Sequence, residues 1–328
     1  MMSASAARVL VPLQIRGTPP PWDQAVHALQ GNTMGTTWSV RFAAPAGLRL
    51  GPIEAAITRV LDAVIDEMSH WEPGSRLSIF NRAAASTRHA LPAGFATVMQ
   101  AALRIAEASG GAFDPGMGDA VRRWGFGPPG AIDETSSTRC DWRALVLDGQ
   151  DLLQPGGVCL DLSAIAKGHA VDRVAQILED LGIADHLAEV GGELRGAGLK
   201  PDGQPWWVDI EAPAADAGLP PLRIALHGLA IATSGDYRRY RIDEVGRRLS
   251  HSIDPRSGEP IAHGLASVSV VHESAMWADG WSTALMVLGL DDGLALARAQ
   301  GLAAHFVQRT DGGGFAERFS PAMEALLS

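Results

Sequence analysis

The chain has 328 residues, of which 46% are hydrophobic, so it can bury the core of one large domain or of two medium ones. Its 27 Lys and Arg residues are scattered and are outnumbered by 37 Asp and Glu residues; the net charge of −10 argues against a nucleic-acid-binding protein. No apolar run approaches the ~18 residues that a membrane span requires. We therefore expect a globular protein in which any phosphate binding is local.

The two cysteines, at positions 140 and 159, are far apart and have no metal-ligand spacing, so neither a zinc site nor a disulfide framework is indicated. They fit a reducing compartment. The apolar residues at 9–13 form a short patch that is broken by a proline and lacks a cleavage pattern or a lipid-attachment cysteine. We therefore expect a cytoplasmic protein, or a periplasmic one if a leader has been removed.

Residues 1–30 are predicted to form an N-terminal arm, because three consecutive prolines and a tryptophan favour an extended chain. Next, Trp38, Val40 and Phe42 alternate with polar residues and predict a strand. Directly before it, residues 32–37 place hydroxyl and amide groups around a glycine that permits a close turn. Such a segment can line a ligand, although the entry to a plain strand is its commoner meaning.

A helix is predicted at about 52–68, because its apolar residues recur at helical spacing. Trp71 follows this helix and has two possible roles. An aromatic residue past a helix end is usually core filler, but a flat indole beside a loop is also a surface on which a flavin or purine ring stacks. After a second predicted helix near 95–109, the glycine density of 110–127 indicates backbone that passes close to something, or simply loop punctuation.

The stretch 158–173 is the centre of the sequence. Its apolar start ends at Asp161 and predicts a strand, and Ser163 can cap the helix that follows. A helix start presents free N–H groups, and Lys167 adds a positive charge one turn in, so a phosphate can bind here. Gly168 costs about 1 kcal/mol relative to alanine inside a helix, which indicates that something large approaches the backbone. The alternative is an ordinary strand–helix junction with a solvated lysine.

Short predicted strands with tight turns dominate the next part of the chain. They lie at 189–196, as a strand and turn, and at 206–211 and 229–237, after a Pro-, Gly-, Ser- and Thr-rich connection at 128–138. Glu193, in the first of these strands, either faces a site or is solvated. Both alternatives remain open from the sequence.

His251 begins a dense turn segment with an Asp-Pro start. A lone histidine is more often a satisfied hydrogen-bonding residue than a catalyst, yet a neutral imidazole can take a proton from an alcohol near neutral pH. After a predicted strand at 266–271, Asp279 and Thr283 are four residues apart, so on a helix their oxygens share one face. Such oxygens suit Mg²⁺, which also retains waters and substrate phosphates. The alternative is an exposed carboxylate beside a capping threonine.

Several of these segments together resemble the ApbE family, the magnesium-dependent FAD:protein FMN transferases. The octapeptide Asp-Leu-Ser-Ala-Ile-Ala-Lys-Gly at 161–168 resembles the family signature. Gly116 and Ser257 stand where the family usually has threonine, so no role is assigned to Gly116. The other similar segments, in the same order as in the family, are Met-Gly-Thr at 34–36, Trp71 with Ser-Ile-Phe-Asn at 78–81, Phe-Asp-Pro at 113–115, Gly-Gly-Glu at 191–193, His-Ser-Ile-Asp-Pro-Arg-Ser-Gly at 251–258 and Ala-Asp-Gly-Trp-Ser-Thr-Ala at 278–284.

This resemblance also implies roles for individual residues. The candidate base is His251, and Lys167 would hold a phosphate during catalysis. The implied contacts of the flavin nucleotide are Met34, Trp71, Ala112, Phe113, Asp114, Asp161, Lys167 and Ile253. The implied Mg²⁺ ligands are Asp279, Thr283, the backbone carbonyl of Ala164, and Ser282, which stands where some relatives have a second carboxylate.

The irregular alternation of predicted helices and strands favours an α+β fold with largely antiparallel sheets. The resemblance implies a T-fold-like core with flanking helices over 31–328. It also implies transfer of the FMN moiety of FAD to a Ser or Thr of an FMN-binding acceptor protein, with release of AMP. A Mg²⁺-dependent FAD pyrophosphatase and a flavin-binding protein without catalysis are the alternatives. A nucleotide-binding dehydrogenase is disfavoured, because no Gly-x-Gly-x-x-Gly follows a strand.

Overall fold

The computed structural model describes residues 8–327 except 13, 16, 22, 130–140, 215–216, 238–239, 245 and 247. Most of the predicted connection at 128–138 and Cys140 lie outside these described residues. The helices are α1 (Gly51–Met68), α2 (Arg76–Asn81), α3 (Ala93–Ala108), α4 (Gly118–Arg123), α5 (Ala166–Asp180), α6 (Ala275–Leu288), α7 (Leu290–Gln300) and α8 (Pro321–Glu324), with a short 3-10 turn at Trp142–Ala144. The strands are β1 (Arg8–Leu10), β2 (Gln24–Thr33), β3 (Thr36–Pro45), β4 (Thr87–Ala90), β5 (Val146–Asp148), β6 (Asp151–Gln154), β7 (His186–Val190), β8 (Glu193–Ala197), β9 (Trp206–Ile210), β10 (Leu222–Leu226), β11 (Leu229–Gly235), β12 (Tyr240–Ile242), β13 (Arg248–Ser250), β14 (Ile253–Asp254), β15 (Glu259–Pro260), β16 (Leu265–His272), β17 (Ala303–Arg309) and β18 (Phe315–Phe319).

An eight-stranded antiparallel sheet forms the centre of the fold, in the order β18-β17-β16-β11-β8-β7-β3-β2. Its two faces are covered differently, because successive side chains of a strand point in opposite directions. In β11, Ala230 and Ala232 pack in the larger core beneath helices α1, α3, α5 and α6, whereas Ile231 packs against the three-stranded sheet β1-β10-β9. The predicted α+β architecture with antiparallel sheets and flanking helices is confirmed.

The predicted helices at 52–68 and 95–109 are confirmed as α1 and α3, and the predicted strand at 266–271 as β16. Within the described residues, no helix is long and apolar enough to cross a membrane. The N-terminal arm predicted for 1–30 is partly built into the sheets, since Arg8–Leu10 pairs with β10 and the boundary at residue 30 falls inside β2. The sequence pattern did not reveal β2.

The strand predicted at 158–161 is wrong. Cys159 makes only an isolated bridge with Met117, and the backbone of Leu160 pairs with a side chain instead of a neighbouring strand. The Leu160 N–H donates to Asn81 Oδ1 at 2.7 Å, and Asn81 Nδ2 donates to the Leu160 carbonyl at 2.9 Å. Because Asn81 already satisfies both backbone groups, no strand partner is needed here.

The predicted cap at Ser163 is also wrong. Helix α5 begins at Ala166, and the preceding Ile165 has no side chain that can accept a hydrogen bond. The acceptor comes from α6, where Asp279 Oδ2 accepts the Gly168 N–H at 3.0 Å. This long-range carboxylate replaces the local cap.

Helices α5 and α6 cap each other across a close contact. Asp172 of α5 accepts the N–H groups of Ala275 and Met276 at the start of α6, both at 3.0 Å. A Cβ on Gly168 would lie 2.2 Å from the Ala275 carbonyl oxygen. The large neighbour expected at Gly168 is therefore the backbone of α6. This contact fixes the position of Asp279 relative to α5.

Replacing Asp172 with asparagine should lower the free energy of unfolding by about 1.5–3 kcal/mol, the range for hydrogen bonds to a charged group. The carboxylate accepts the two α6 N–H groups and also Arg195 Nη1 at 2.7 Å and Ser274 Oγ at 2.6 Å. An amide keeps one acceptor oxygen and turns a donor toward these donors. Chemical denaturation measures the loss, with Asp180→Asn on the exposed end of α5 as the control. Equal stability of the two variants would contradict this role for Asp172.

Candidate active site

Lys167 is held in the first turn of α5 by an ion pair between its Nζ and Glu193 Oε1. Glu193 begins β8, directly after the tight turn at Gly191–Gly192. Its side chain is only 4% exposed, and its Oε2 has no hydrogen-bond partner among the described residues. Burial raises the pKa of Glu193 to about 7, although the charge of Lys167 opposes that shift. Glu193 therefore faces the interior, and the solvated alternative for it is wrong, whereas the paired Lys167 side chain remains 33% exposed.

Asp279 lies beside this ion pair and is buried in α6. Burial raises the pKa of Asp279, while the charge of Lys167 and the hydrogen bond from the Gly168 N–H work in the opposite direction. The exposed carboxylate considered from the sequence is thus excluded. The start of α5 was expected to present free N–H groups to a phosphate, but one of them, the Gly168 N–H, donates to Asp279. The partly exposed side chain of Lys167, paired with Glu193, carries the positive charge that an anion can meet at this helix start.

Three hydroxyl groups surround the following turn of α6. Ser282 is buried, and its Oγ donates to the Asp279 carbonyl at 2.9 Å. Ser234 Oγ, from β11, lies 2.8 Å from Ser282 Oγ and 3.0 Å from Thr283 Oγ1. Thr283 does not cap α6, because Ser274 does. Lys167, Glu193, Asp279, Ser282, Thr283 and Ser234 are called the Lys167 cluster below.

The tip of the β2–β3 hairpin lies next to this cluster. Met34 and Gly35 form its two-residue turn, with φ of 49° and 69°, so 32–37 is a hairpin tip and not the entry to a single strand. A Cβ on Gly191 would lie 3.0 Å from Thr36 Cγ2 and 3.3 Å from Lys167 Cδ. Residues 32–37 line an open surface depression of about 550 Å³. The structure thus brings Met34, Lys167 and Asp279 into one region.

A second group surrounds Asp161. His70 Nδ1 lies 3.3 Å from Asp161 Oδ2, and Asp161 Oδ1 accepts the Ser163 N–H at 2.8 Å. Burial is the largest single influence and would raise the pKa of Asp161, but the charge and hydrogen bond of His70 and the hydrogen bonds with Ser163 together lower it. Trp71, edge-on to His70 with ring centroids 5.5 Å apart, is 56% exposed. Trp71 is therefore not core filler, and its indole is open to a ligand.

The loop that carries Ala112, Phe113 and Asp114 runs beside Asp161, whose N–H donates to the Pro115 carbonyl at 2.8 Å. Ala112 and Phe113 are buried. The Asp114 carboxylate accepts the N–H groups of Gly116 at 2.7 Å and of Trp142 at 2.9 Å. Burial raises the pKa of Asp114 to about 6 despite these bonds. Asp114 thus fixes the shape of this loop.

His251 belongs to a third group, which follows β13. Its ring centroid lies 6.2 Å from that of Phe126. Ile253 is buried against Met117 and Ala120, at the start of α4. Because Met117 also bridges to Cys159, the His251 segment and the Asp161 segment are held by the same short helix.

Sequence reasoning missed three residues of the site. Ser234, Asp172 and His70 bond to predicted site residues or position them, but none stands in a pattern that distinguishes it from an ordinary polar residue.

Ala164, whose carbonyl is an implied metal ligand, precedes α5 and is half-buried. Within the described part of the chain, no group of three or more His, Cys, Asp and Glu side chains is placed to hold a metal ion.

Comparisons with known proteins give a consistent result. The model of the ApbE family matches residues 34–306. The FAD:protein FMN transferase of Vibrio cholerae is 38% identical, over 96% of this chain and 96% of its own length. The FAD:protein FMN transferase of Salmonella typhimurium is 35% identical, over 92% and 90%. The apo crystal structure of the Pseudomonas stutzeri flavinyl transferase ApbE superposes with a TM-score of 0.84 at 36% identity, covering 93% of this chain and 97% of that one.

Proposed function

Because the chain belongs to the ApbE family, we propose that it transfers the FMN moiety of FAD to a serine or threonine of an FMN-binding acceptor protein and releases AMP. The observation that carries this proposal is the Lys167 cluster. Lys167 offers a fixed positive charge, and Asp279 and Thr283 offer hard oxygen ligands beside it. A pyrophosphate needs such a combination, because its oxygens carry negative charge that must be neutralised before the P–O–P link is cleaved.

Residues of the cluster, together with the Ala164 carbonyl outside it, have the donor chemistry that suits a magnesium ion. The donors would be the Asp279 carboxylate, the Thr283 hydroxyl and the Ala164 carbonyl, with Ser282 as a further candidate. They are all oxygens, and their small number suits a cation that keeps waters and substrate phosphates. The unpartnered Oε2 of Glu193 also points to an additional polar group in this space. When bound, Mg²⁺ would supply Lewis-acid stabilisation of charge on the phosphate oxygens.

FAD is proposed to lie between the three groups of the site. Lys167 would hold a phosphate, while Met34 and Trp71 would contact the flavin nucleotide together with Ile253 and the loop of Ala112, Phe113 and Asp114. Asp161, held in position beside His70, would be a further contact of the flavin nucleotide. The buried members of this set can shape the pocket, and the exposed indole of Trp71 can stack on a ring.

In the proposed reaction, His251 takes the proton of the acceptor hydroxyl as its oxygen attacks the phosphorus of the FMN moiety. The new bond joins the acceptor oxygen to this phosphorus, and the bond to the AMP oxygen breaks. Lys167 neutralises phosphate charge during the exchange. The chain thus acts by positioning and by charge stabilisation, as is typical of phosphoryl transfer.

Counting AMP with and without acceptor tests this function against FAD hydrolysis. A transferase should release AMP in proportion to the acceptor that is added, with one FMN bound to the acceptor for each AMP. A pyrophosphatase would release AMP and free FMN at the same rate whether or not the acceptor is present. Chromatography of the nucleotides from one preparation measures the AMP released with the acceptor and the AMP released without it. A rate that is independent of acceptor would overturn the proposal.

Replacing Trp71 with alanine should weaken FAD binding by about 1–2 kcal/mol, the typical value of a ring stacked on an indole. The melting temperature of the Trp71→Ala variant should equal that of the parental protein, because the replaced side chain is 56% exposed. The buried Trp206 provides the contrast, since its replacement should cost about 3–5 kcal/mol of folding stability. Calorimetric titration beside a thermal melt measures both quantities. Unchanged FAD affinity in the Trp71 variant would remove this residue from the binding site.

The compartment in which the protein works stays a prediction. The cytoplasmic location rests on the sequence alone, and fractionation of the native organism tests it.

A further inference from the structure

A two-stranded ribbon leads directly to the candidate base. Strands β12 (Tyr240–Ile242) and β13 (Arg248–Ser250) pair antiparallel with each other and form a sheet of their own among the described residues. Tyr240 lies opposite Ser250, so His251 is the next residue after this pair. The ribbon therefore lies on the surface beside His251.

One face of β12 is anchored and the other is open. Arg241 Nη1 donates to the Trp124 carbonyl at 3.2 Å, and a Cβ on Gly125 would collide with the same guanidinium. Because side chains alternate along a strand, Tyr240 and Ile242 point away from this anchor. They are 45% and 59% exposed. The ribbon thus presents an aromatic and an aliphatic side chain on one exposed face.

The segment that contains this ribbon has an excess of arginine in the sequence. The guanidinium of Arg248 lies 3.8 Å from the centroid of the Tyr240 ring and donates to the Asp236 carbonyl. Arg309 also donates to the Asp236 carboxylate, so a single carboxylate faces two guanidinium groups. Between positions 236 and 250 the sequence has five arginines against Asp236, Asp243 and Glu244, in a chain of net charge −10. This local excess of positive charge favours an acidic partner.

We propose that the β12–β13 ribbon docks the acceptor protein. The occupant is an extended, acidic segment that carries the target serine or threonine and covers Tyr240 and Ile242. This inference rests on the proposed function, because a hydroxyl that belongs to another protein must reach His251. The surface next to His251 must then contact that protein. Aromatic and aliphatic side chains beside arginine are the composition from which protein interfaces gain affinity.

The double variant Tyr240→Ser with Ile242→Ser tests the docking surface. We expect kcat/KM for the acceptor to fall about tenfold or more, mainly through KM, while FAD binding and acceptor-free AMP release stay unchanged. The probe is a recombinant FMN-binding acceptor domain with a single target threonine. The matched control is Val26→Ser with Val146→Ser, which changes two side chains of similar exposure, 43% and 46%, on other strands. The control should label the acceptor at the parental rate.

Several outcomes would overturn the inference. An unchanged KM for the acceptor would exclude the ribbon as its docking surface. A loss of FAD affinity would make the ribbon part of the nucleotide site, and a parental protein that self-associates while the double variant does not would make it an interface between two copies. If the parental protein labels no acceptor at all, the proposed function fails, and this result does not depend on the ribbon.

Hydrogen exchange on the unaltered protein gives a second test that does not depend on how the variant folds. Adding the acceptor domain should slow the exchange of the β12 amides, and raising the salt concentration should weaken this protection. Exchange at β12 that is unaffected by the acceptor would contradict docking there.

Discussion

Replacing His251 with asparagine should lower FMN transfer to an acceptor serine or threonine by about 10²–10⁴-fold, the usual contribution of a general base. The acceptor hydroxyl is a weak nucleophile until its proton is removed, and asparagine cannot take that proton at neutral pH. FAD binding should be nearly unchanged, because the proposed contacts with phosphate and flavin come from the groups of Lys167 and Asp161 and from Ile253, and none comes from the His251 ring. Covalent FMN on the acceptor measures transfer, and calorimetric titration measures FAD affinity.

His27→Asn is the matched control for this variant. His27 lies on β2 and bonds to the Pro45 carbonyl, at the end of the hairpin opposite to Met34, so its replacement should leave transfer at the parental rate. If His251→Asn loses FAD affinity and transfer equally, His251 is a binding residue and not the base. If acceptor-free FAD hydrolysis falls as far as transfer does, the base also activates water.

Replacing Asp279 with asparagine should lower Mg²⁺-dependent transfer by about 10³-fold or more, because metal stabilisation of phosphate charge is worth several kcal/mol. Asparagine is the sharper test, since its amide oxygen can still accept the Gly168 N–H that alanine would leave without a partner. The fold should therefore persist. Mg²⁺ should raise the melting temperature of the parental protein but not that of the variant. Asp291→Asn, on the exposed start of α7, is the control.

The pH dependence of stability gives an independent check on Asp279. Burial raises the pKa of Asp279 and raises that of Glu193 to about 7, so the metal-free fold favours their protonated forms. The stabilisation of the fold by these protonated carboxyl groups is fully present below the ordinary carboxyl pKa of about 4 and is lost as the pH rises through the raised pKa values. The Asp279 charge also raises the pKa of Glu193. The asparagine variant should therefore lose less stability than the parental protein as the pH rises from about 5 to about 8, a range that spans the raised pKa. In the transfer assay, an Asp279→Asn variant that transfers FMN at the parental rate in limiting Mg²⁺ would show that Asp279 is not a ligand.

The helices and strands that the sequence predicted are those with a strong local pattern. Helix α1 has apolar residues at helical spacing, and β3 alternates apolar and polar residues. The predicted cap of α5 was wrong for a physical reason, because the capping carboxylate comes from Asp279, 111 positions later in the chain than Gly168. The false strand before it fails for the same kind of reason, since Asn81, 79 positions away, takes both backbone hydrogen bonds of Leu160. Long-range side-chain bonds leave no local signal.

The same distinction holds for the site. The residue types of Lys167, Asp279 and Thr283 are compatible with phosphate and metal chemistry, but the resemblance to the family, and not these residues alone, favoured that interpretation over solvated side chains. The environment of each residue required the fold, because burial decides whether a carboxylate such as Glu193 is a solvated charge or an interior group with a raised pKa. Exposure likewise separates Trp71 from the buried tryptophans. Ser234 joins the cluster only because β11 passes beside α6.

Intact-mass spectrometry of an acceptor domain after incubation with the protein, FAD and Mg²⁺ tests the central claim most directly. The account predicts that the acceptor gains the mass of FMN less one water, at a single serine or threonine, and that the gain disappears when that residue is alanine or when Mg²⁺ is chelated. An acceptor that keeps its original mass while FAD is split into free FMN and AMP would contradict it.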